Sequence, residues 1–108
     1  MHVVTELEPG KHSRSLEGAD HDASVSLILV EAPPGKGPSL HRHPYEEVFI
    51  LHEGEATFTA GDEERVVAAG AVIVVPAGTP HGFVNSGDAP LRLTTIHASD
   101  KFQTEWLV

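Results

Sequence analysis

Four side chains that can bind a metal stand close together in this sequence: His41, His43, Glu47 and His81. Imidazole and carboxylate groups are ligands of intermediate hardness, and they suit divalent transition metals. The chain contains no cysteine, so thiolate ligands, disulfides and cysteine nucleophiles are excluded. The residue types therefore predict one metal site built from nitrogen and oxygen donors.

The four residues fall into two blocks that also contain turn residues. The blocks are Gly35-x5-His41-x-His43-x3-Glu47-x6-Gly54 and Gly70-x5-Pro76-x-Gly78-x2-His81-x3-Asn85. Glycine and proline mark chain reversals, and side chains alternate along a strand, so His41 and His43 should point to the same face. One His-x-His pair says little in a chain with 8 histidines, but two complete blocks in order favour a site.

The elements that must position these residues are short apolar segments interrupted by Gly, Pro and Asp, a pattern typical of all-β proteins. No long segment has helical periodicity, and Glu8–Asp22 is polar enough to predict a surface loop. The predicted strands are Val3–Thr5, Ser24–Ala32, Ser39–His43, Glu47–His52, Glu55–Ala60, Glu64–Val67, Ala71–Val75, His81–Asn85 and Leu91–His97.

The two blocks match the two motifs of the cupin superfamily at every signature position, so the chain resembles a small, single-domain (stand-alone) bacterial cupin. The resemblance covers residues 35–85 by motif, and the ending 96–107 is similar to that of many such proteins. It implies an antiparallel double-stranded β-helix, or jelly-roll barrel. It also implies one divalent ion per chain (Fe, Mn, Ni, Co, Cu or Zn) held inside by His41, His43, Glu47 and His81.

Glu46 and Glu47 compete for the carboxylate ligand. The family spacing selects Glu47, and strand alternation agrees with it. Alternation also puts Phe49 and Leu51 on the same face as Glu47, so we predict that both line an apolar pocket beside the metal.

The other candidates come from the later strands. Phe83 shares a face with His81 and is predicted to line the pocket. His97 ends the last strand, where it is either a proton shuttle or substrate contact, or a surface histidine with no role. The remaining motif residues are predicted to shape turns, with the asparagine bonding to backbone; they are Gly35, Gly54, Gly70, Pro76, Gly78 and Asn85.

A length of 108 residues predicts one domain. We expect an amino-terminal arm and loop over 1–23, the barrel over 24–97 and a tail over 98–108. In the tail, Asp100–Leu107 forms either one helical turn or an extended segment that docks Phe102 and Trp106 on the barrel.

Two segments, Leu27–Val30 and Val72–Val75, are apolar on both faces, which predicts that something covers their outer sides. We favour a homodimer, with cover by the chain's own arm and tail as the alternative. The net charge of −9 argues against nucleic acid and anionic membranes as partners. No apolar run is long enough to cross a bilayer and no signal peptide is recognisable, so a cytoplasmic location is expected.

These features favour a metal-dependent enzyme that acts on a small organic molecule, with an oxygenase or related oxidoreductase as the first hypothesis. A cupin-type isomerase or lyase of sugars or keto acids is a neighbouring possibility. The alternative class is a non-catalytic module that binds a small metabolite, because one fold can host both classes.

Overall fold

A computed structural model describes residues 1–108 as eleven antiparallel strands in two sheets, with one short 3-10 helix at Gly18–His21. The predicted all-β jelly-roll class is confirmed. The strands are β1 (Glu8–Pro9), β2 (Ser13–Leu16), β3 (Ser26–Ala32), β4 (His41–Arg42), β5 (Glu47–Glu53), β6 (Glu55–Ala60), β7 (Glu63–Ala68), β8 (Val72–Val75), β9 (His81–Asn85), β10 (Leu91–His97) and β11 (Glu105–Trp106).

The larger sheet has six strands in the order β1-β2-β3-β10-β5-β8. Strict alternation of buried residues along β5 and β10 defines its inner face. On β5 the buried set starts with Glu47 and continues with Phe49 and Leu51. On β10 it ends with Thr95 and His97. The same alternation that builds the core therefore carries polar side chains into the interior at one end.

The smaller sheet has five strands in the order β11-β4-β9-β6-β7. The very short strand β4 pairs with β9 through His41 and His81, which are direct cross-strand partners. On its other side β4 pairs with the tail strand β11, where Trp106 lies opposite His41. Two predicted metal ligands are thus neighbours because of strand register.

The core fills the space between the sheets. The rings of Phe49 and Phe58 meet edge to face at 5.1 Å, and Phe58 stacks on Phe83 at 5.0 Å, an arrangement that aromatic rings favour. We call the far end of this core the closed end; its buried residues are Ala32, Leu51, Ala56, Asn85, Leu91 and Leu93. We call the opposite end, where His81, Glu47 and His97 lie, the metal end.

Two motif residues, Gly54 and Asn85, lie at or next to turns at the closed end. Asn85 donates from Nδ2 to the carbonyls of Ala32 (2.9 Å) and Ala89 (2.8 Å), and its Oδ1 accepts from the Gly87 amide (3.0 Å). Gly54 has a φ of +91°, and a Cβ there would lie 2.7 Å from the Pro90 carbonyl oxygen. No other residue type fits that turn without strain.

Two predictions about the ends of the chain need correction. Val3–Thr5 is not a strand, and Glu8–Asp22 is not a loop, because it contains β1, β2 and the 3-10 helix. Strand β2 is held by its ladders to β1 and β3, and its mostly polar side chains hide it from a search for apolar runs. The tail is extended and contains β11, so the alternative of a helical turn is wrong.

One end of the outer face of the six-stranded sheet is apolar, whereas the other end carries Arg14, Glu31 and Arg92. Strand register places five apolar side chains side by side, one from each of five neighbouring strands. They are Leu16, Leu27, Ile96, Val48 and Val74. At the edge of the sheet, Val72 and Val74 are 62% and 59% exposed. The chain's own arm and tail therefore leave this edge uncovered. None of the helical structure is long and apolar enough to cross a membrane.

Candidate metal centre

The structure brings the four predicted ligands together at the metal end. Their ligand atoms all lie within 4.8 Å of one another, and all four residues are buried. His41 lies on β4 and His43 follows it, while Glu47 and His81 are the first residues of β5 and β9. Strand ends thus supply the rigid positions, and the turns between them allow the side chains to converge.

Each of the three imidazoles is oriented by a backbone carbonyl. A carbonyl oxygen only accepts, so each Nδ1 carries the hydrogen and each Nε2 presents its lone pair to the interior. Such partners are the usual means of orienting a metal-binding histidine. The contacts are His41 Nδ1 to Ser39 O at 2.7 Å, His43 Nδ1 to Gln103 O at 2.9 Å and His81 Nδ1 to Thr79 O at 2.8 Å.

The Nε2 atoms then face another acceptor. His81 Nε2 lies 2.9 Å and His43 Nε2 3.1 Å from the same carboxylate oxygen, Glu47 Oε1. Lone pairs at that distance repel unless a proton or a metal ion lies between them. Neighbouring ligand atoms around one transition metal, each bound at roughly 2.1 Å, are about 3 Å apart. The residues present therefore fit a divalent transition metal.

The site is electrostatically poised for a cation. Burial disfavours the charged form of Glu47, but its contacts with His43, His81 and His97 outweigh burial and hold its pKa well below the ordinary range. Burial also lowers the pKa of His41, with only partial compensation from the Ser39 carbonyl. At His43 burial is overcome by Glu47 and the Gln103 carbonyl, and the pKa is raised.

His97 is not a surface histidine, because it is only 2% exposed. Its Nδ1 lies 2.7 Å from the Tyr45 hydroxyl, and its Nε2 lies 3.0 Å from Glu47 Oε2. The Nε2 contact is close, but its angle is too poor to count as a satisfied hydrogen bond. Tyr45 Oη also accepts from the Gln103 amide at 3.3 Å. The tyrosine hydrogen is then free to point at His97 Nδ1, which leaves the His97 hydrogen on Nε2.

Beside the cluster lies a cavity of about 510 Å³, and its lining includes residues of the metal end and of the tail. Phe49, Phe83 and His97 line it, whereas Leu51 does not, because it is packed one step deeper in the core. A larger groove of about 810 Å³ crosses the outer surface near Arg14. That groove contains none of the four clustered ligands, so the smaller cavity is the candidate site.

The sequence did not reveal every residue of this site. Tyr45 orients His97, and from the tail Phe102 and Trp106 close the cavity against His97 and His41 at ring distances of 5.0 and 4.9 Å. Thr95 also lines the cavity, as does His12, to which the sequence assigned no role. Thr95 could have been found from its two-residue spacing to His97, but no motif marks the others.

Comparison with known proteins agrees with this geometry. Residues 28–97, well over half of the chain, match the cupin-domain family. The chain belongs to the cupin family. An uncharacterized protein of Methanocaldococcus jannaschii is 36% identical over 72 residues, covering 64% of this cupin and 58% of that relative. Mannose-1-phosphate guanylyltransferase 2 of Escherichia coli O157:H7 is 35% identical over 77 residues, which are 70% of this cupin but only 16% of that relative. The cupin thus spans less than two thirds of both relatives.

Solved structures show the same fold. Recombinant oxalate oxidase in complex with glycolate superposes with a TM-score of 0.83 at 21% identity, covering 97% of this cupin and 63% of that chain. Oxalate decarboxylase of Bacillus subtilis, studied for its Mn(II) centres, gives 0.80 at 25% identity, covering 95% of this cupin and 30% of that chain. The barrel therefore has the fold of these enzymes, and it contains a buried cluster of side chains that could hold a metal ion.

Proposed function

We propose that this cupin is a metal-dependent oxygenase or related oxidoreductase that acts on a small organic molecule. The observation that carries the proposal is the convergence of three carbonyl-oriented imidazoles and one ionised carboxylate within 4.8 Å, beside an apolar cavity. The resemblance to oxalate oxidase and to a manganese-containing oxalate decarboxylase supports the redox class.

His41, His43, Glu47 and His81 would hold the ion, and iron or manganese is favoured by the proposed redox work. A bound ion of this kind supplies Lewis acidity and one-electron chemistry. The protein supplies the surroundings: Phe49 and Phe83 form an apolar wall that excludes water. This wall keeps the effective dielectric low, which strengthens every polar interaction inside the cavity.

His97 has the position of a proton holder in this mechanism. Its Nε2–H faces the cavity next to Glu47 Oε2, and the Tyr45 hydroxyl supports the ring from the other side. An imidazole held in one tautomer can donate a hydrogen bond from Nε2–H to a substrate oxygen. His97 therefore has the geometry of a substrate contact that orients the bound molecule.

Oxygen uptake by the protein loaded with Fe(II) or Mn(II) tests the proposal, against a panel of catechols, diketones, thiols and small carboxylic acids. The His81→Ala variant is the control for metal-dependent turnover. Uptake by the native protein alone supports the oxidoreductase. Conversion without oxygen uptake indicates the isomerase or lyase, and saturable binding with no product over hours indicates a binding module.

We also propose that the protein is a homodimer that pairs the apolar outer face of the six-stranded sheet with the same face of a second copy. Five strands spaced at about 4.8 Å give a face roughly 20–25 Å wide, which is wide enough for the roughly 800 Å² per partner of a standard interface. Self-pairing is favoured because a row of apolar residues that ends at Val74 crosses five strands of this face.

Light scattering tests the dimer. We expect twice the chain mass of 11.5 kDa for the native protein. Val74→Lys should shift it to monomer, because a desolvated lysine is costly in an interface. Val66→Lys is a matched control, since Val66 is 65% exposed but lies on β7 of the other sheet. A native monomer, or equal effects of the two variants, would contradict this interface. The cytoplasmic location stays a prediction from the sequence.

A further inference from the structure

Four buried side-chain atoms lack a well-directed partner, and all four residues line the candidate cavity. Buried polar groups in native proteins are almost always hydrogen-bonded, as Asn85 is at the closed end. A metal accounts for the atom on His43, and His97 Nε2 has only its poorly directed contact with Glu47 Oε2 at 3.0 Å, so the atoms with no partner at all are those on His12 and Thr95. The four atoms are His12 Nε2, His43 Nε2, Thr95 Oγ1 and His97 Nε2.

Thr95 and His97 lie two residues apart on the inner face of β10, and they are 3% and 2% exposed. The Tyr45 contact leaves a hydrogen on His97 Nε2, and a threonine hydroxyl can always donate. These two groups therefore present a pair of donors to the cavity beside the metal cluster. Their natural partner is an oxygen-rich group of a ligand.

A second polar region lies at the other side of the cavity, where Lys11, His12 and Lys36 contribute to the lining. The chain has only 7 lysines and arginines and a net charge of −9, yet two lysines face this cavity. Neither of them forms an ion pair within the protein. The region is thus a concentration of uncompensated positive charge, which favours an anion.

The distance between the two polar regions follows from the sheet. Thr95 pairs with Ile28 on β3, and Ser13, which follows His12, pairs with Val30 on the same strand. The regions are therefore two strands apart across the sheet and two residues apart along β3, roughly 12 Å between backbones. The cavity wall between them carries Ile28 and Val30, so the middle of a ligand should be apolar.

We infer that the cavity takes a small organic acid with oxygen groups at both ends and a short apolar spacer. One end lies at the metal cluster with Thr95 and His97, and the other carboxylate lies at Lys11, His12 and Lys36. This inference deepens the proposed function and rests on it for the metal end. The region formed by Lys11, His12 and Lys36, which we call the outer region, sets the preference for a ligand with two acidic groups.

Calorimetric titration of the Mn(II)-loaded protein, without oxygen, with straight-chain dicarboxylates from oxalate to adipate tests this inference. Monocarboxylates of equal carbon number serve as the comparison. We expect the dicarboxylates of four to six carbons to bind at least tenfold more tightly than both oxalate and their monocarboxylate counterparts. Equal binding of mono- and dicarboxylates at every length would overturn the inference.

Variants locate the outer region. Lys36→Met and His12→Leu should each remove most of the dicarboxylate preference while monocarboxylate binding and metal content stay unchanged. Lys101→Met is the matched control, since Lys101 is exposed and does not line the cavity. If Lys36→Met and Lys101→Met have the same effect, the preference comes from overall charge and the inference fails.

Thr95→Val tests the donors beside the metal cluster, because valine has nearly the same shape as threonine and lacks the hydroxyl. It should weaken mono- and dicarboxylates alike, by several-fold. All these titrations measure binding, so they separate this inference from the proposed chemistry. Length-selective binding without oxygen uptake keeps the acid-binding site and removes the oxygenase, whereas oxygen uptake with no length preference does the reverse.

Discussion

The two ends of the barrel use buried polar groups in opposite ways. At the closed end, the Asn85 side-chain amide makes three hydrogen bonds to backbone groups, and buried leucine and alanine residues lie at the same end. At the metal end, His43, Thr95 and His97 are as deeply buried but keep atoms without protein partners. The closed end is complete within the chain, whereas the metal end is complete only with something bound.

In one continuous core, the closed end therefore determines mainly stability and the metal end determines mainly binding. Strands β5 and β10 run through both ends, so the same backbone ladder supports the leucines and the polar cluster. Changes at the closed end should therefore alter the free energy of unfolding and leave the site's affinities alone. Changes at the metal end should alter mainly the affinities and cost little free energy of unfolding.

The largest effect on stability is expected from Leu93→Ala at the closed end. Leu93 is 1% exposed, and loss of a fully buried leucine costs about 2–5 kcal/mol of unfolding free energy. Urea denaturation of the metal-free protein measures it, with the exposed Val66→Ala as the control. A parallel loss of metal affinity in the folded variant would show that the two ends are not independent.

His81→Ala should lower metal affinity by at least about 100-fold, since it removes one of few ligands. The barrel should stay folded, because His81 is not part of the hydrophobic core cluster between the sheets. Metal content by mass spectrometry and circular dichroism measure the two parts. His52→Ala is the matched control: its ring bonds to Thr94 at 2.8 Å, away from the cluster. Stoichiometric metal in His81→Ala would rule out this ligand set.

Metal affinity should fall as the pH falls, by about tenfold per pH unit for each proton displaced. The pKa of His43 is raised, so proton competition there begins above the ordinary histidine value of 6.5. The pKa of His41 is lowered, so competition there begins only below that value. Glu47 stays ionised and adds no slope.

Calorimetry of metal binding between pH 8 and pH 5 in two buffers of different ionisation enthalpy counts these protons. We expect a slope near one proton above pH 6.5 and a steeper slope below it. An affinity that is flat over the whole range would contradict three histidine ligands.

The smallest effect is expected from Tyr45→Phe, which removes the hydroxyl that supports His97. The loss of one hydrogen bond should cost about 1 kcal/mol of unfolding free energy. Metal affinity should fall less than in His81→Ala, because Tyr45 acts on the cluster only through His97 and Glu47. Thermal unfolding and metal titration of the same samples make the comparison. A loss as large as that of His81→Ala would place Tyr45 much closer to the metal than this structure does.

Much of the barrel and the metal cluster was predictable, because both depend on local patterns. Alternation along β5 and β10 fixes the inner face, and the two blocks place His41, His43, Glu47 and His81 at strand ends. The turn chemistry of Gly54 and Asn85 was equally visible, since each role depends on neighbouring residues.

The remaining features depend on contacts between distant segments. Strand β1 is at the edge of the six-stranded sheet and β2 lies beside it. Both escaped prediction because backbone bonds hold them and they carry few apolar side chains. Tyr45 meets His97 across 52 residues, and the tail reaches His43 across 60. Nothing local marks such pairs, so they required the folded chain.

The bond from Gln103 to His43 has one further consequence. The segment that shuts the mouth of the barrel also fixes the ring of a ligand histidine, and Trp106 of the same segment lies against His41. Any movement of the tail that opens the cavity would therefore also disturb two of the side chains that would hold the ion. Entry of a ligand and retention of the metal are coupled through the tail, so a tag or truncation at this terminus would disturb both.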